Sequence, residues 1–109
     1  PTANLQVDGR KFLPGLGVYA ALTWTKSEHK PFKALMNLGP QPTVDPTAPS
    51  SVEVHLLDQD IDLAKEELVV EPVQKLRDQK QFANLEELSQ QIGLDANLSR
   101  IILKKYLND

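Results

Sequence analysis

Gly17-Val18-Tyr19-Ala20-Ala21-Leu22-Thr23-Trp24, followed after a polar interval by Phe32-Lys33-Ala34-Leu35-Met36-Asn37-Leu38-Gly39, is the stretch that sets the architecture of this chain. In the first run Val18, Ala20, Leu22 and Trp24 alternate with Tyr19, Ala21 and Thr23, the period-two pattern of a strand with one face buried. In the second run Phe32, Ala34, Met36 and Leu38 alternate with Lys33, Leu35 and Asn37. Thr25 to Lys30 turns the chain between them, so the two runs pair as a β-hairpin over a shared core. Gly39 ends the second strand.

Beyond Gly39 come Pro40, Pro42, Pro46 and Pro49, which lack backbone donors and mark a long surface loop up to Ser51, of the kind that carries binding function. A third strand follows, with Val52, Val54 and Leu56 facing the core and Glu53, His55 and Leu57 on the other side. A fourth runs from Glu67 to Leu76, and Pro72 within it predicts an edge position or a bulge. Then the period changes. Asn84 is a good amino-terminal cap with Glu87 three places on, and Leu85, Leu88 and Ile92 follow at helical spacing. Gly93 is expected to stop that helix. A second helix from about Ala96 would turn Leu98, Ile101, Ile102 and Tyr106 to one side and end near Lys104 and Lys105. Strands followed by helices predict a mostly β chain: an antiparallel sheet curled into a barrel or sandwich, with the helices at one side or end.

The chain has 109 residues, the size of a single domain, with 40% apolar and 25% charged residues. A net charge of −3 without a basic stripe disfavours nucleic-acid binding. Cysteine is absent, which excludes disulfides, thiol nucleophiles and thiolate zinc sites. No apolar run approaches the ~20 residues of a membrane span, and no signal-peptide pattern opens the chain. The cytoplasm is the expected location.

Phosphoryl transfer needs donors on the phosphates, a charge-neutralising metal and a group that takes the acceptor's proton. No Gly-x-x-x-x-Gly-Lys-Ser/Thr loop is present, which excludes a P-loop kinase. Thr2 and Asn4 are two neutral oxygen donors one residue apart, suited to Mg²⁺ and equally to the start of a strand. Glu53 shares a strand face with His55 and can serve as a base, or can be one solvated carboxylate among 15 acidic residues. Arg77 can offer a planar fork to a carbonyl or phosphate, or belong to a solvated turn. Phe82 can pack on a flat ring, or anchor the helix to the sheet.

Together these segments carry a resemblance. Pro1-Thr2-Ala3-Asn4-Leu5, Gly17-Val18-Tyr19-Ala20, Asn37-Leu38-Gly39 with Pro42-Thr43, Glu53-Val54-His55-Leu56-Leu57-Asp58, Leu76-Arg77 with Lys80 and Phe82, and Leu85-Glu86-Glu87-Leu88 occur in the order and rough spacing of the bacterial riboflavin kinase domain. The resemblance runs from Pro1 to about Ile92, with a helical tail from Gly93 to Asp109 outside it. It implies one domain over residues 1–109, built as a closed antiparallel Greek-key β-barrel with a helix packed across it. It also implies ATP-dependent phosphorylation of riboflavin to FMN, with ADP released. By motif, Thr2 and Asn4 would hold Mg²⁺, and Pro1, Thr2, Asn4 and Asn37 would hold ATP. Glu53 would be the catalytic base, and Arg77 and Phe82 would contact the flavin.

Members of that family carry a glycine-containing stretch just before the position of Pro1. They also have an aromatic residue after the His-Leu-Leu-Asp run and a Tyr-Gly pair after Asp-Leu. Here Gln59 and Ala64-Lys65 stand instead, which predicts weaker flavin affinity or a reshaped barrel edge. In bacteria the domain is commonly fused behind an FMN adenylyltransferase domain, whose paired-histidine motif this chain lacks, so adenylyl transfer is not expected of it. A catalytically silent flavin- or nucleotide-binding module is the alternative reading. The apolar stripe of the tail suits packing on the barrel or on a partner domain.

Overall fold

The hairpin is the centre of the sheet. A computed structural model of the chain describes residues 2–5, 15–26, 30–39, 51–59 and 67–107. Its elements are β1 (Thr2–Leu5), β2 (Gly17–Thr25), β3 (Phe32–Gly39), β4 (Ser51–Leu56), β5 (Leu68–Arg77) and α1 (Leu85–Leu107). All strand pairs are antiparallel, in the spatial order β1-β4-β3-β2-β5. The meander β2-β3-β4 with β1 beside β4 is Greek-key order. Among the described residues no pairing joins β1 to β5, the contact that the expected closed barrel would need. The expected proline-rich loop, residues 40–50, lies outside the described residues.

The two runs pair as expected, in a β2–β3 register from Gly17 opposite Leu38 to Thr23 opposite Phe32, which sets Ala34 and Met36 on the face of Tyr19 and Ala21 and Leu35 on that of Val18, Ala20 and Leu22. The expectation of one buried face needs correction, because β2 is buried on both. Tyr19 and Ala21 join Ala34, Met36, Leu38, Val52, Val54 and Leu56 on one side of the sheet. On the other side Ala20 and Leu22 pack under Leu103 of the helix, and Val18 packs with Leu35, Leu57 and Ala96. A strand covered on two faces loses its polar alternation. β5 behaves as Pro72 suggested. It is an edge strand, and its register against β2 shifts between Val18 and Tyr19 and again between Ala20 and Ala21, beside the Ala21–Pro72 pair.

Gly17 lies where β5 passes closest. Its φ is +150°, and a Cβ there would stand 2.8 Å from the Arg77 carbonyl oxygen and 2.6 Å from Lys75 Cε, so only glycine fits without displacement.

The helix differs from the expectation in two respects. First, it is continuous: Leu85–Leu107 is one element of 23 residues, and Gly93 sits inside it. The cap is where the sequence placed it, since the Glu87 amide donates to Asn84 Oδ1 at 2.9 Å and Glu87 Oε2 accepts from the Ala83 amide at 3.2 Å. Nothing after it stops the helix, because glycine lowers helix propensity without breaking the hydrogen-bond ladder, and packing on the sheet outweighs that cost. Second, the buried stripe is Asp95, Ala96, Ser99 and Leu103. Leu98, Ile101 and Tyr106, read as one apolar side suited to the barrel or to a partner domain, are exposed, as is Leu94. Only Ile102 of the expected set packs against the sheet cluster. Small residues explain the choice of face. Ala20 on the helix side of β2 and Ala96 on α1 are small and buried, and Ser99 Oγ reaches the Ala34 backbone carbonyl at 3.0 Å, a buried bond tying helix to sheet.

Two substitutions test this account. Gly93 has nothing within 4 Å of a built Cβ, so Gly93→Ala should stabilise the protein by about 0.5–1 kcal/mol in denaturant unfolding. Destabilisation would mean that the helix breaks there. Leu103 is fully buried, so Leu103→Ala should cost about 2–5 kcal/mol through lost contacts and the cavity left behind.

Candidate functional site

Register places the sequence-selected residues in line. Asn4 pairs with Glu53, Glu53 with Asn37, Asn37 with Val18, and Val18 with Arg77, so one row crosses all five strands. In the adjoining row Thr2 pairs with His55, and His55 with Leu35. The structure therefore brings Thr2, Asn4, Asn37, Glu53 and Arg77 onto two neighbouring rows. Pro1 lies outside the described residues.

A cleft of about 830 Å³ opens over this part of the sheet. That is ample for a small-molecule ligand. Its sheet side consists of Val18, Leu35, Asn37, Glu53 and His55. Opposite lie Arg77 at the end of β5 and Gln79, Lys80, Gln81 and Phe82 from the strap that joins β5 to α1, and Leu88, Ile92 and Asp95 complete it from the helix. Apolar surface from Val18, Leu35, Phe82, Leu88 and Ile92 suits a flat ring. The polar groups converge at the Glu53 end and at the strap.

The strap is tethered at three points. Arg77 Nε donates to Asp95 Oδ1 at 3.1 Å and Oδ2 at 3.0 Å, and Nη2 donates to Oδ2 at 2.8 Å. Gln79 Nε2 donates to Asn37 Oδ1 at 2.8 Å, lying where a Cβ on Gly39 would come within 2.6 Å of it. Lys80 Nζ reaches Gln91 Oε1 at 3.4 Å, and Gln91 in turn donates to Asp95 Oδ1 at 3.0 Å. The Arg77 guanidinium lies 5.8 Å from the Phe82 ring centroid, within cation–π range. Of the two readings of Arg77, the solvated turn is excluded, because its side chain is only 17% exposed. Phe82 is half-buried against the cleft.

The Glu53-to-Asp58 segment divides by alternation. Val54 and Leu56 enter one core cluster and Leu57 the other, while Glu53 and His55 line the cleft. Asp58 adopts a left-handed backbone, φ 62°, which Asp tolerates better than most residues. Its carboxylate accepts from Arg100 Nε and Nη2 at 2.8 and 2.9 Å, a bond that holds its pKa below the ordinary value. Asp58 is thus a tie between strand and helix.

Sequence reading missed Asp95. Ending the helix at Gly93 broke the phase that sets Gln91, Asp95 and Ser99 four residues apart on one face. A continuous helix would have exposed an acidic residue on the stripe that also holds Ala96 and Ser99, a signal for a buried partner. Among the described residues no group of three His, Asp or Glu side chains gathers to hold a metal. Thr2 and Asn4, the residues assigned to Mg²⁺ in the sequence, pair by backbone register with His55 and Glu53.

A positioned carboxylate, convergent amide and cationic groups and an apolar wall define a small β domain with a binding cleft for a compact substrate. The family model described as "Flavokinase: Riboflavin kinase" matches residues 1–103, and the chain belongs to that family. The match extends past Ile92 through most of α1, further than the resemblance in the sequence reached. The chain is 37% identical over 102 residues to a bifunctional riboflavin kinase/FMN adenylyltransferase of Pseudomonas fluorescens, covering 94% of this chain and 32% of that protein. It is 38% identical over 100 residues to its Escherichia coli K12 counterpart, covering 92% and 31%. An RNA-binding riboflavin kinase of Bacillus subtilis shares 34% over 97 residues, covering 87% of this chain and 40% of that one. The chain thus spans about a third of the length of the bifunctional relatives. A solved structure described as a macrolide-efflux protein from Streptococcus pneumoniae superposes with a TM-score of 0.80 at 27% identity, covering 92% of this chain and 32% of that one. The domain is a riboflavin kinase domain.

Burial holds the pKa of His55 below its ordinary 6.5, with the Glu53 carboxylate pulling the other way. The imidazole is therefore neutral at pH 7. Because the folded value lies under the unfolded one, acidification below 6.5 protonates the unfolded chain first, so His55 subtracts stability there. An NMR titration should give a His55 midpoint under 6.5, and Glu53→Gln should lower it further. A midpoint that rises in the variant contradicts the arrangement.

Proposed function

We propose that this domain transfers the γ-phosphoryl group of ATP to the 5′-hydroxyl of riboflavin, giving FMN and ADP. The observation that carries the reading is the position of Glu53. It lies on a cleft-lining row between Asn4 of β1 and Asn37 of β3. Glu53 accepts the proton of the 5′-hydroxyl as that oxygen attacks the γ-phosphorus, and the bond from phosphorus to the bridging oxygen breaks toward ADP.

Pro1, Thr2 and Asn4 hold the ATP phosphates, and Thr2 and Asn4 are the ligands for Mg²⁺, which when bound offsets phosphate charge. Asn37 belongs to the same set. Its oxygen accepts from Gln79, so its amide N–H groups are what it offers to a phosphate oxygen. Arg77 and Phe82 define the riboflavin side, with Val18, Leu35, Leu88 and Ile92 as the surface for the flat ring. We further propose that residues 1–109 form one domain whose sheet curls into a closed barrel. In the full-length protein an FMN adenylyltransferase domain, as in the bifunctional relatives, would take up the FMN formed here. An ATP-consuming reaction fits a cytoplasmic setting, and no helix among the described residues is long and apolar enough to cross a membrane.

Incubation of the full-length protein with riboflavin, ATP and Mg²⁺ should yield FMN. Glu53→Gln should lower kcat by about 10²–10⁴-fold, the usual contribution of a general base, with riboflavin affinity little changed. Equal losses in both remove Glu53 from the role of base.

A further inference from the structure

We propose that Asp95 is a positioning residue for the acceptor substrate: through its carboxylate it fixes Arg77 as a hydrogen-bond donor aimed at riboflavin. This rests on the cleft being the riboflavin site.

The sequence offered Arg77 as an open fork for a ligand, but in the fold most of that fork is taken. Nε and Nη2 bind Asp95, and Nη1 donates to the Asp78 carbonyl at 3.0 Å. A guanidinium carries five N–H groups. Three are used in these bonds, which leaves one on Nη1 and one on Nη2 uncommitted among the described residues. Two in-plane donors on a group that cannot rotate are better prepared for a ligand than five on a mobile side chain, because the ordering entropy is already lost.

A role in stability alone explains the pair poorly. Burying two charges costs desolvation that their attraction only partly returns, and an apolar pair of similar volume would pack the helix as well. Asp95 is 4% exposed, on a stripe otherwise built from Ala96, Ser99 and Leu103. Both Asp95 and Arg77 nevertheless border the cleft. Asp95 also receives Gln91, which receives Lys80, so one helix carboxylate governs two of the three tethers of the strap. Phe82, stacked under Arg77, is held by the same anchor.

The test is steady-state kinetics on the full-length protein, with riboflavin affinity read separately from quenching of its fluorescence. Asp95→Asn should raise both the KM and the Kd for riboflavin about tenfold, the scale of a charge-assisted hydrogen bond. The KM for ATP should change less than about twofold, since Arg77 stands on the edge strand β5, at the opposite end of the row from Asn4 on β1. Arg77→Lys should act in the same direction, and the double variant should be little worse than either single one, because both break one unit. Leu103→Ala, on the same helix face, serves as the control: it should lower Tm and leave the ratio of the two KM values unchanged. If Asp95→Asn does not fold, Arg77→Lys carries the test. Wild-type riboflavin affinity in the variants of an active enzyme overturns the positioning role, as does a parallel rise in both KM values. Failure of the wild type to make FMN overturns instead the function proposed for the cleft.

Discussion

Burial of β2 on both faces is the constraint from which the rest of the structure follows. A central strand with one wet face would leave α1 nowhere to dock. Here Val18, Ala20 and Leu22 present an apolar strip to the helix, while Tyr19 and Ala21 close the core on the other side. Ala20 on the sheet and Ala96 on the helix are small, the helix lies close enough for Ser99 to bond the β3 backbone, and that contact fixes which stripe of α1 faces inward. Once Ser99 and Leu103 are seated, Asp95 is carried to the end of β5, where Arg77 meets it.

The cleft is a product of this docking. Its sheet side follows from strand register, which aligns residues far apart in sequence on one row, and its opposite side follows from where the helix begins. The segment between Arg77 and Phe82 has no secondary structure to hold it. Its position depends on side-chain bonds to Asp95, Asn37 and Gln91. One side of the cleft therefore rests on a strap whose geometry is set by side chains of β3 and α1. The Glu53 end is different, being built on paired strands, and paired strands hold a group more rigidly than a tethered loop.

Much of the fold was legible because the signals were local. Period-two alternation identified β2, β3 and β4, Pro72 marked an edge with a bulge, and Asn84 with Glu87 marked the helix start. One reading failed because it treated a single position as decisive. Gly93 was read as a stop, but a glycine inside a packed helix costs only about 1 kcal/mol, less than the burial of Leu103 returns. The stripe of Leu98, Ile101, Ile102 and Tyr106 was read from hydrophobicity, which left open whether it met the barrel or a partner domain, and only Ile102 packs on the sheet. Where Ser99 bonds the backbone of β3 the helix lies close to the sheet, so the small Ala96 and Ser99 face inward and the larger Leu98 and Ile101 are left exposed.

The amino-acid sequence by itself determined the strands, the helix start, the membership of the family and the identity of Glu53, Asn37, Thr2, Asn4, Arg77 and Phe82 as the residues to watch. Those are properties of spacing and residue type along the chain. Only the tertiary structure decided that the helix is continuous, which of its faces is buried, and that Arg77 is held by Asp95. Each of those outcomes depends on a contact between segments distant in sequence: Ser99 with Ala34, Leu103 with Ala20 and Leu22, Arg77 with Asp95. The free energy of such a contact exists only after both segments have been brought together, so neither segment announces it alone.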